Sequence, residues 1–388
     1  MSGSETTVVG NPLEIIHQTL QATMTEYASR TVPAHYGDVQ AEYHTLQTGV
    51  GLIDISAHGR IQVGGKERVQ FLNGLVSNYI KPLHHGFGVP ALFLTAQGKV
   101  IADCHIFGVD ETFWIDLDAT LAEKIYKSLF RFTFAGDFKV EDLAKSYGLL
   151  SLQGPQASAL LAAITGENPH QWPVTHQVDK VGGGTEDIPV LPLKKLQLGK
   201  TEALVVRRAR GTVDGYDLYI HREALAQTWN WLTSQGTAFH LRPVGWEALE
   251  LVRVEAGLPR YGVDVDETVI ALEANLGSAV SYHKGCYVGQ ETVAKIHWRG
   301  HDQVARKLTQ IVVEGTNLPQ RGSRIVKGEK EVGTITSAIY SPQLGDAILA
   351  LGYVRSSVIQ AGGTFTIKND DGTEVSAKLK DSGLKTLG

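Results

Sequence analysis

Lys284-Gly285-Cys286-Tyr287-Val288-Gly289-Gln290-Glu291, followed shortly by His297-Trp298-Arg299-Gly300-His301, marks the seam at which the chain changes texture. Upstream of it, helical and extended patterns alternate. From about His301 onward, helical periodicity nearly vanishes and short extended runs are separated by Gly, Pro and Asn breaks. Alternation before the seam predicts an α/β body. The strand-only run after it predicts a small antiparallel β-barrel or sandwich packed on that body.

Reading toward the C-terminus, residues 304–313, 323–326, 331–337, 347–354 and 363–367 are expected strands. Reading back toward the N-terminus, 246–256 and 223–234 are expected helices, the second stopped by Gly236. Gly154-Pro155 opens a helix that ends before Gly166, and 148–152 is a short buried strand ahead of it. Residues 91–95, 100–109 and 112–117 read as three strands, with Gln97-Gly98 turning between the first two, and 119–131 returns to helix. Residues 59–63 read as a strand. Segment 67–80 reads as an amphipathic helix with Val69, Leu72, Val76 and Ile80 inward. Asn11-Pro12 caps an expected helix over 13–28, with Leu13, Ile16, Leu20 and Met24 at helical spacing. Two strand–helix–strand sets on either side of about residue 150 suggest related α/β halves, so the domains expected are 1–150, 151–301 and 302–388.

The size, 388 residues and 42.1 kDa, calls for two or three structural units. An apolar share of 43% with 20% charged residues is that of a globular protein. Net charge is −5, from 36 basic and 41 acidic residues, which argues against a general nucleic-acid or membrane-surface binder. An anionic ligand must therefore be met by individually placed Arg or Lys. The apolar runs fall far short of the roughly 20 residues that cross a bilayer. The opening Met-Ser-Gly-Ser-Glu-Thr-Thr lacks the basic and apolar regions of a secretory signal, so the cytoplasm is expected. Cys104 and Cys286 are too few for a disulfide framework, or to hold an iron–sulfur cluster alone.

Two glycines bracket Cys286, and glycine admits tight turns and close approach of a ligand. Lys284 nearby and a helix starting near Gln290 would draw the thiol pKa toward about 7, leaving roughly half of it nucleophilic. The competing reading is a buried, inert cysteine beside a turn. Gly182-Gly183-Gly184 reads as a hairpin tip, and Gly64-Gly65-Lys66 lacks phosphate-loop spacing. His297 and His301 would share a helix face and suggest a metal, but Gly300 favours a turn, and no metal site is expected. His84-His85 reads as a solvated loop.

The eight-residue string 284–291 resembles that of the YgfZ-type folate-binding proteins of iron–sulfur cluster maintenance and related tRNA modification. These are relatives of the T-protein (aminomethyltransferase) of the glycine cleavage system. Further matching blocks are Gly51-Leu52-Ile53-Asp54-Ile55-Ser56 with Gly59, and Val252-Arg253-Val254-Glu255-Ala256-Gly257-Leu258-Pro259 followed by Tyr261-Gly262, Asp264 and Leu272-Glu273. The resemblance implies two related α/β folate-binding units around a central channel plus a C-terminal antiparallel β-barrel. It also implies tetrahydrofolate, or a one-carbon derivative, as cofactor.

Carried over residue by residue, the resemblance places Asp217, in Gly215-Tyr216-Asp217-Leu218, at the pterin edge, where a carboxylate accepts a paired amino group and ring N–H. Arg253 is the candidate for the folate tail, with a salt bridge to a neighbouring helix as the rival reading. Tyr261 is the candidate ring wall, with core packing as its rival. Glu273, Tyr287 and Gln290 complete the implied cofactor-binding set. Cys286, with Lys284 beside it, is the implied functional thiol. The transferase has an Asp-Asp pair where this chain has Ala102-Asp103: one-carbon transfer is retained if Asp103 matches the catalytic member, and lost if Ala102 does.

The function implied first is a folate-binding protein that assists iron–sulfur cluster assembly or repair, and dependent tRNA modification, through Cys286. Its partners would be iron–sulfur proteins or the assembly machinery, with no direct nucleic acid and no membrane. The alternative is a tetrahydrofolate-dependent aminomethyltransferase. A folate-binding scaffold without chemistry is the third reading.

Overall fold

The computed structural model describes residues 10–83, 86–134, 136–180 and 183–380. His84-His85, Val181 and Gly182 lie outside the described residues, so those two loop readings stay where the sequence left them. The chain divides into two compact units, Met1–Gln62 with Glu141–Trp172 and Leu193–Leu249, and Val63–Val140 with Pro173–Pro192 and Glu250–Gly388.

In the first unit, strands pair in the order Leu241–Pro243, Val50–Asp54, Tyr147–Gln153, Gly215–His221, Thr201–Arg207 and Leu191–Leu198. Only the first pairing is parallel. Val50–Asp54 and Tyr147–Gln153 lie side by side although nearly a hundred positions separate them. Helices Ala157–Thr165 and Arg222–Gln235 supply Leu160, Leu161, Leu225, Trp229 and Leu232 to the sheet's core. At about 25 cal/mol per Å² of apolar area, burying such side chains outweighs the weak amphipathic signal of either helix.

The expected helix over 13–28 is a correction. Only Glu14–Thr19 is helical, Gln21 turns at φ 55°, and Thr23–Tyr27 pairs with Arg30–His35 as a hairpin. The physical reason lies in His17: it is fully buried and bonded to Asp54, which fixes one turn of helix and lets the β-favouring Thr-Met-Thr-Glu-Tyr run go extended.

In the second unit, Phe87–Leu94, Val100–Val109 and Thr112–Leu117 form an antiparallel meander, close to the expected spans. Helix Ala119–Phe130 follows, its N-terminus capped by Asp118. The helix expected over 67–80 stops at Leu75, where Val76 is already extended. Thr175–Asp179 and Thr185–Pro189 pair antiparallel. Arg306–Val313, Arg324–Lys327, Lys330–Ser341, Ala347–Arg355, Thr364–Lys368 and Glu374–Leu379 close into a barrel. The last of these strands is absent from the sequence reading. Ile311, Ile325, Ile348, Val354, Phe365 and Ile367 fill the barrel's interior. Among the described residues, no helix is long and apolar enough to cross a membrane.

Candidate functional site

Cross-strand partners share a face of a sheet, and a bulge shifts that parity by one residue. Asp103 pairs with Leu92, Ala102 with Phe93, and Val100 with Leu94, the irregularity falling between the last two pairs. Asp103 therefore shares a face with Leu92, Leu94 and Val100, and Ala102 points to the opposite face with Phe93. Leu92, Leu94 and Val100 belong to a core cluster with Val254, Val265, Val269 and Ala271, against which Tyr261 packs. The bulge thus selects Asp103 over Ala102 as the carboxylate position facing Tyr261's side.

Burial, then Glu267, Asp266, Asp103 and Asp118, push the Tyr261 phenol up to about 12. Two of these carboxylates have basic partners, Glu267 pairing with Lys124 and Asp266 being drawn down by Arg321 and Arg306 after its bonds from Thr268. Asp118, Asp266 and Glu267 were not among the sequence candidates. The acidic run Asp264-Val265-Asp266-Glu267 was their available signal, but its role depends on how the chain returns to the Gly98 turn. That return is explicit: the Val100 amide donates to the Val269 carbonyl at 2.9 Å, and the Lys99 ammonium donates to the Thr268 carbonyl.

The loop 284–289 is anchored on the same unit. Ser281 and Val288 amides donate to the carbonyls of Ser77 and Gly74, and the Ser77 hydroxyl donates to the Ala279 carbonyl. Gly289 adopts φ 85°, and a Cβ there would lie 2.5 Å from the Thr95 carbonyl oxygen. Gly98, at φ 76°, would meet Thr292 at 3.0 Å. The two glycine turns nest because neither carries a side chain. Helix Gln290–Ala294 begins directly after and runs into a π-helical turn, Lys295–Arg299.

Cys286 is exposed, unlike Cys104, so the buried-cysteine reading fails. The role expected for Lys284 is also corrected. Its side chain is buried, and its ammonium donates at 2.7 Å to three carbonyls, those of Asn73, Val76 and Asn78, around the end of helix Arg68–Leu75. All three protons of the ammonium are thereby engaged, and none remains to pair with the thiolate of Cys286. Burial, with added repulsion from Lys81, presses the Lys284 pKa down to about 7, and the carbonyl dipoles at the helix end oppose that drift. Tyr287, an implied ligand contact, is buried with its ring 5.0 Å from the Lys284 nitrogen. Gln290 is half-buried as the first residue of its helix.

Arg253 has five N–H donors, and all five are taken. They go to both oxygens of Glu250 (2.8 and 2.6 Å), to Asp264 and the Leu258 carbonyl (2.6 Å each), and to Ser337 (3.0 Å). The tail-clamping role expected for Arg253 is corrected because no donor is left over, and its rival is not met either: the ion pairs run to Glu250 of its own helix and to Asp264 in a turn, not to a neighbouring helix. Glu273 is buried and pairs with Arg306 at 3.3 Å.

In the first unit, Asp217 is fully buried, and its carboxylate is saturated. Oδ1 accepts from Ser151 (2.7 Å) and Arg210 (3.1 Å), and Oδ2 accepts from Arg210 (2.8 Å) and Arg208 (3.4 Å). A carboxylate holding a bidentate guanidinium offers no paired acceptor to a pterin edge, so that expected contact is corrected too. Asp54, in the matching N-terminal block, accepts from Asn11, Ser56 and His17. His297 stacks on Tyr282 with centroids 3.6 Å apart and pairs with Asp302. Among the described residues, no three His, Cys, Asp or Glu side chains are grouped to hold a metal ion.

Comparison with known proteins covers nearly the whole length. The GCVT N-terminal domain matches residues 13–284, and the glycine cleavage T-protein C-terminal barrel domain matches residues 306–383. An aminomethyltransferase of Streptomyces coelicolor is 29% identical over 353 residues, 90% of each chain. One of Caldanaerobacter subterraneus is 26% identical over 357 residues, 92% of this chain and 90% of its own. The crystal structure of glycine cleavage system aminomethyltransferase T from Bartonella henselae superposes with a TM-score of 0.80 at 21% identity, covering 96% of both chains, and so shares the fold.

Proposed function

From the premise that this chain belongs to the glycine cleavage T-protein family, having both its N-terminal domain and its C-terminal barrel, we propose that it is a tetrahydrofolate-dependent transferase of an aminomethyl-type one-carbon unit. The observation that carries this reading is the parity of the Val100–Val109 strand, which turns Asp103 toward the Tyr261 cluster and Ala102 away from it. Aminomethyltransferases among its relatives support it. The sequential domains 1–150, 151–301 and 302–388 are retained as part of the proposal.

Tetrahydrofolate is the family's cofactor and supplies the accepting nitrogen. Asp103 and Tyr261 fit such a group, one as a carboxylate, the other as a ring packed on the apolar cluster that contains Leu92 and Val100. Asp217 and Arg253 do not fit, being consumed by protein partners. Transfer of the carbon from the carrier breaks its bonds to sulfur and to the amino nitrogen, so the carrier thiol and ammonia both leave, and positive charge develops on that carbon. A carboxylate at Asp103 stabilises that charge and can take a proton. The test incubates the protein with an aminomethyl-lipoyl carrier and tetrahydrofolate. Ammonia should appear with wild type and fall by roughly 100-fold or more with Asp103→Asn. Background release from wild type overturns the reading.

A second reading is favoured by the exposed Cys286 inside its eight-residue string: folate-linked maintenance of iron–sulfur proteins and of the tRNA modification that depends on them. Complementing a deletion strain with Cys286→Ala tests it. Full recovery of iron–sulfur enzyme activity by the mutant removes this reading and leaves the first untouched.

A further inference from the structure

Four consecutive residues, Lys284-Gly285-Cys286-Tyr287, alternate sharply in burial. Lys284 and Tyr287 are 3% and 8% exposed, whereas Gly285 and Cys286 between them are exposed. The two buried side chains also meet, the Lys284 nitrogen standing over the Tyr287 ring at 5.0 Å. That contact closes the loop beneath the thiol. Its base is fixed by the carbonyls of Asn73, Val76 and Asn78, and its exit by the Val288 amide on Gly74 and by Gly289 against Thr95.

We propose that Lys284 and Tyr287 are positioning residues that form a clasp, holding the Cys286 thiol outward in one orientation. Lys284 acts through geometry. An ammonium suits this place because its three donors diverge from one atom toward three separate carbonyls, and its charge meets both the helix end and the ring face. A methionine of similar length would fill the volume but satisfy none of the carbonyls. The clasp rests on the second reading above only for its purpose; its existence is a matter of local order.

The test uses the full chain with a methanethiosulfonate nitroxide attached at Cys286. Buried Cys104 serves as a fold control, since it takes label only if the structure opens. Wild type should give a motionally restricted spectrum. Lys284→Met should give a severalfold shorter rotational correlation time, with Cys104 still unlabelled. Tyr287→Phe keeps the ring face and should match wild type, while Tyr287→Leu should resemble Lys284→Met. If Lys284→Met exposes Cys104, the Tyr287 pair decides the question. Superimposable spectra for wild type, Lys284→Met and Tyr287→Leu overturn the clasp, whereas failure of the Cys286→Ala complementation test bears only on what the thiol is for.

Discussion

The carboxylate of Asp217 and the thiol of Cys286 stand in opposite physical situations. Asp217 is fully buried with four hydrogen bonds from Ser151, Arg208 and Arg210. Cys286 is exposed, and the polar capacity of its neighbourhood is spent beneath it by Lys284. Arg253 belongs with Asp217, its five donors all engaged. The lesson is that chemical type alone does not mark a ligand contact. What counts is whether donors or acceptors remain after the protein has satisfied itself. Groups of the first kind should cost stability when removed; groups of the second kind should cost activity.

The sharpest way to break this contrast is Arg253→Ala. The substitution leaves Asp264, itself 2% exposed, without its guanidinium partner, and removes the Arg253 bond to Ser337 of the barrel. Urea denaturation should show a loss of about 3–5 kcal/mol, the usual cost of breaking a buried ion pair. Unchanged stability with a large rise in tetrahydrofolate Kd would return Arg253 to the ligand.

Asp217→Ala comes next, at about 2–4 kcal/mol. Its cost is smaller because the stranded Arg208 and Arg210 retain 14% and 11% exposure and can draw in water. The same denaturation experiment reads it. A variant as stable as wild type would mean that the two arginines do not depend on the carboxylate.

Much of this was legible in the chain, for reasons that can be named. The meander from Phe87 to Leu117 carries continuous apolar character with Gln97-Gly98 at its turn, and it reads correctly. The glycines around Cys286 announce a constrained loop. Strands Leu191–Leu198 and Thr201–Arg207 went unread; Lys194, Lys195 and Glu202, all exposed, interrupt the apolar pattern. The helix over 67–80 was overextended because its stop is tertiary: the carbonyls of Asn73 and Val76 at its end are claimed by Lys284 from 211 and 208 residues away. The same distance hid the true role of Lys284. Asp103 was left undecided against Ala102 because a one-residue bulge, invisible to periodicity, sets which of them faces Tyr261.

A pH experiment sharpens the contrast from another consumed carboxylate. Burial alone would raise the pKa of Asp54, but hydrogen bonds and charge from His17, with bonds from Asn11 and Ser56, more than offset it and hold the group below its usual value. Its folded pKa is therefore lower than its unfolded one. The stability it contributes is present above about pH 4 and is lost as pH falls through the folded value. Melting temperatures between pH 7 and 3 should fall more steeply for wild type than for Asp54→Asn, which is already weaker at neutral pH. Parallel curves would show that the Asp54 cluster carries no such linkage.

The smallest expected effect on stability is that of Cys286→Ala, and it separates the two classes most cleanly. An exposed thiol contributes little packing, so removing one sulfur should change unfolding free energy by no more than about 0.5 kcal/mol. The backbone stays pinned because its anchors lie at Lys284, Val288 and Gly289 and not at Cys286 itself. Any loss of iron–sulfur enzyme activity in cells carrying this variant would then belong to missing sulfur chemistry, since the fold would be intact. A loss of several kcal/mol would mean that the thiol packs inward in solution, and Cys286 would join Asp217 and Arg253 among the groups the protein has already spent.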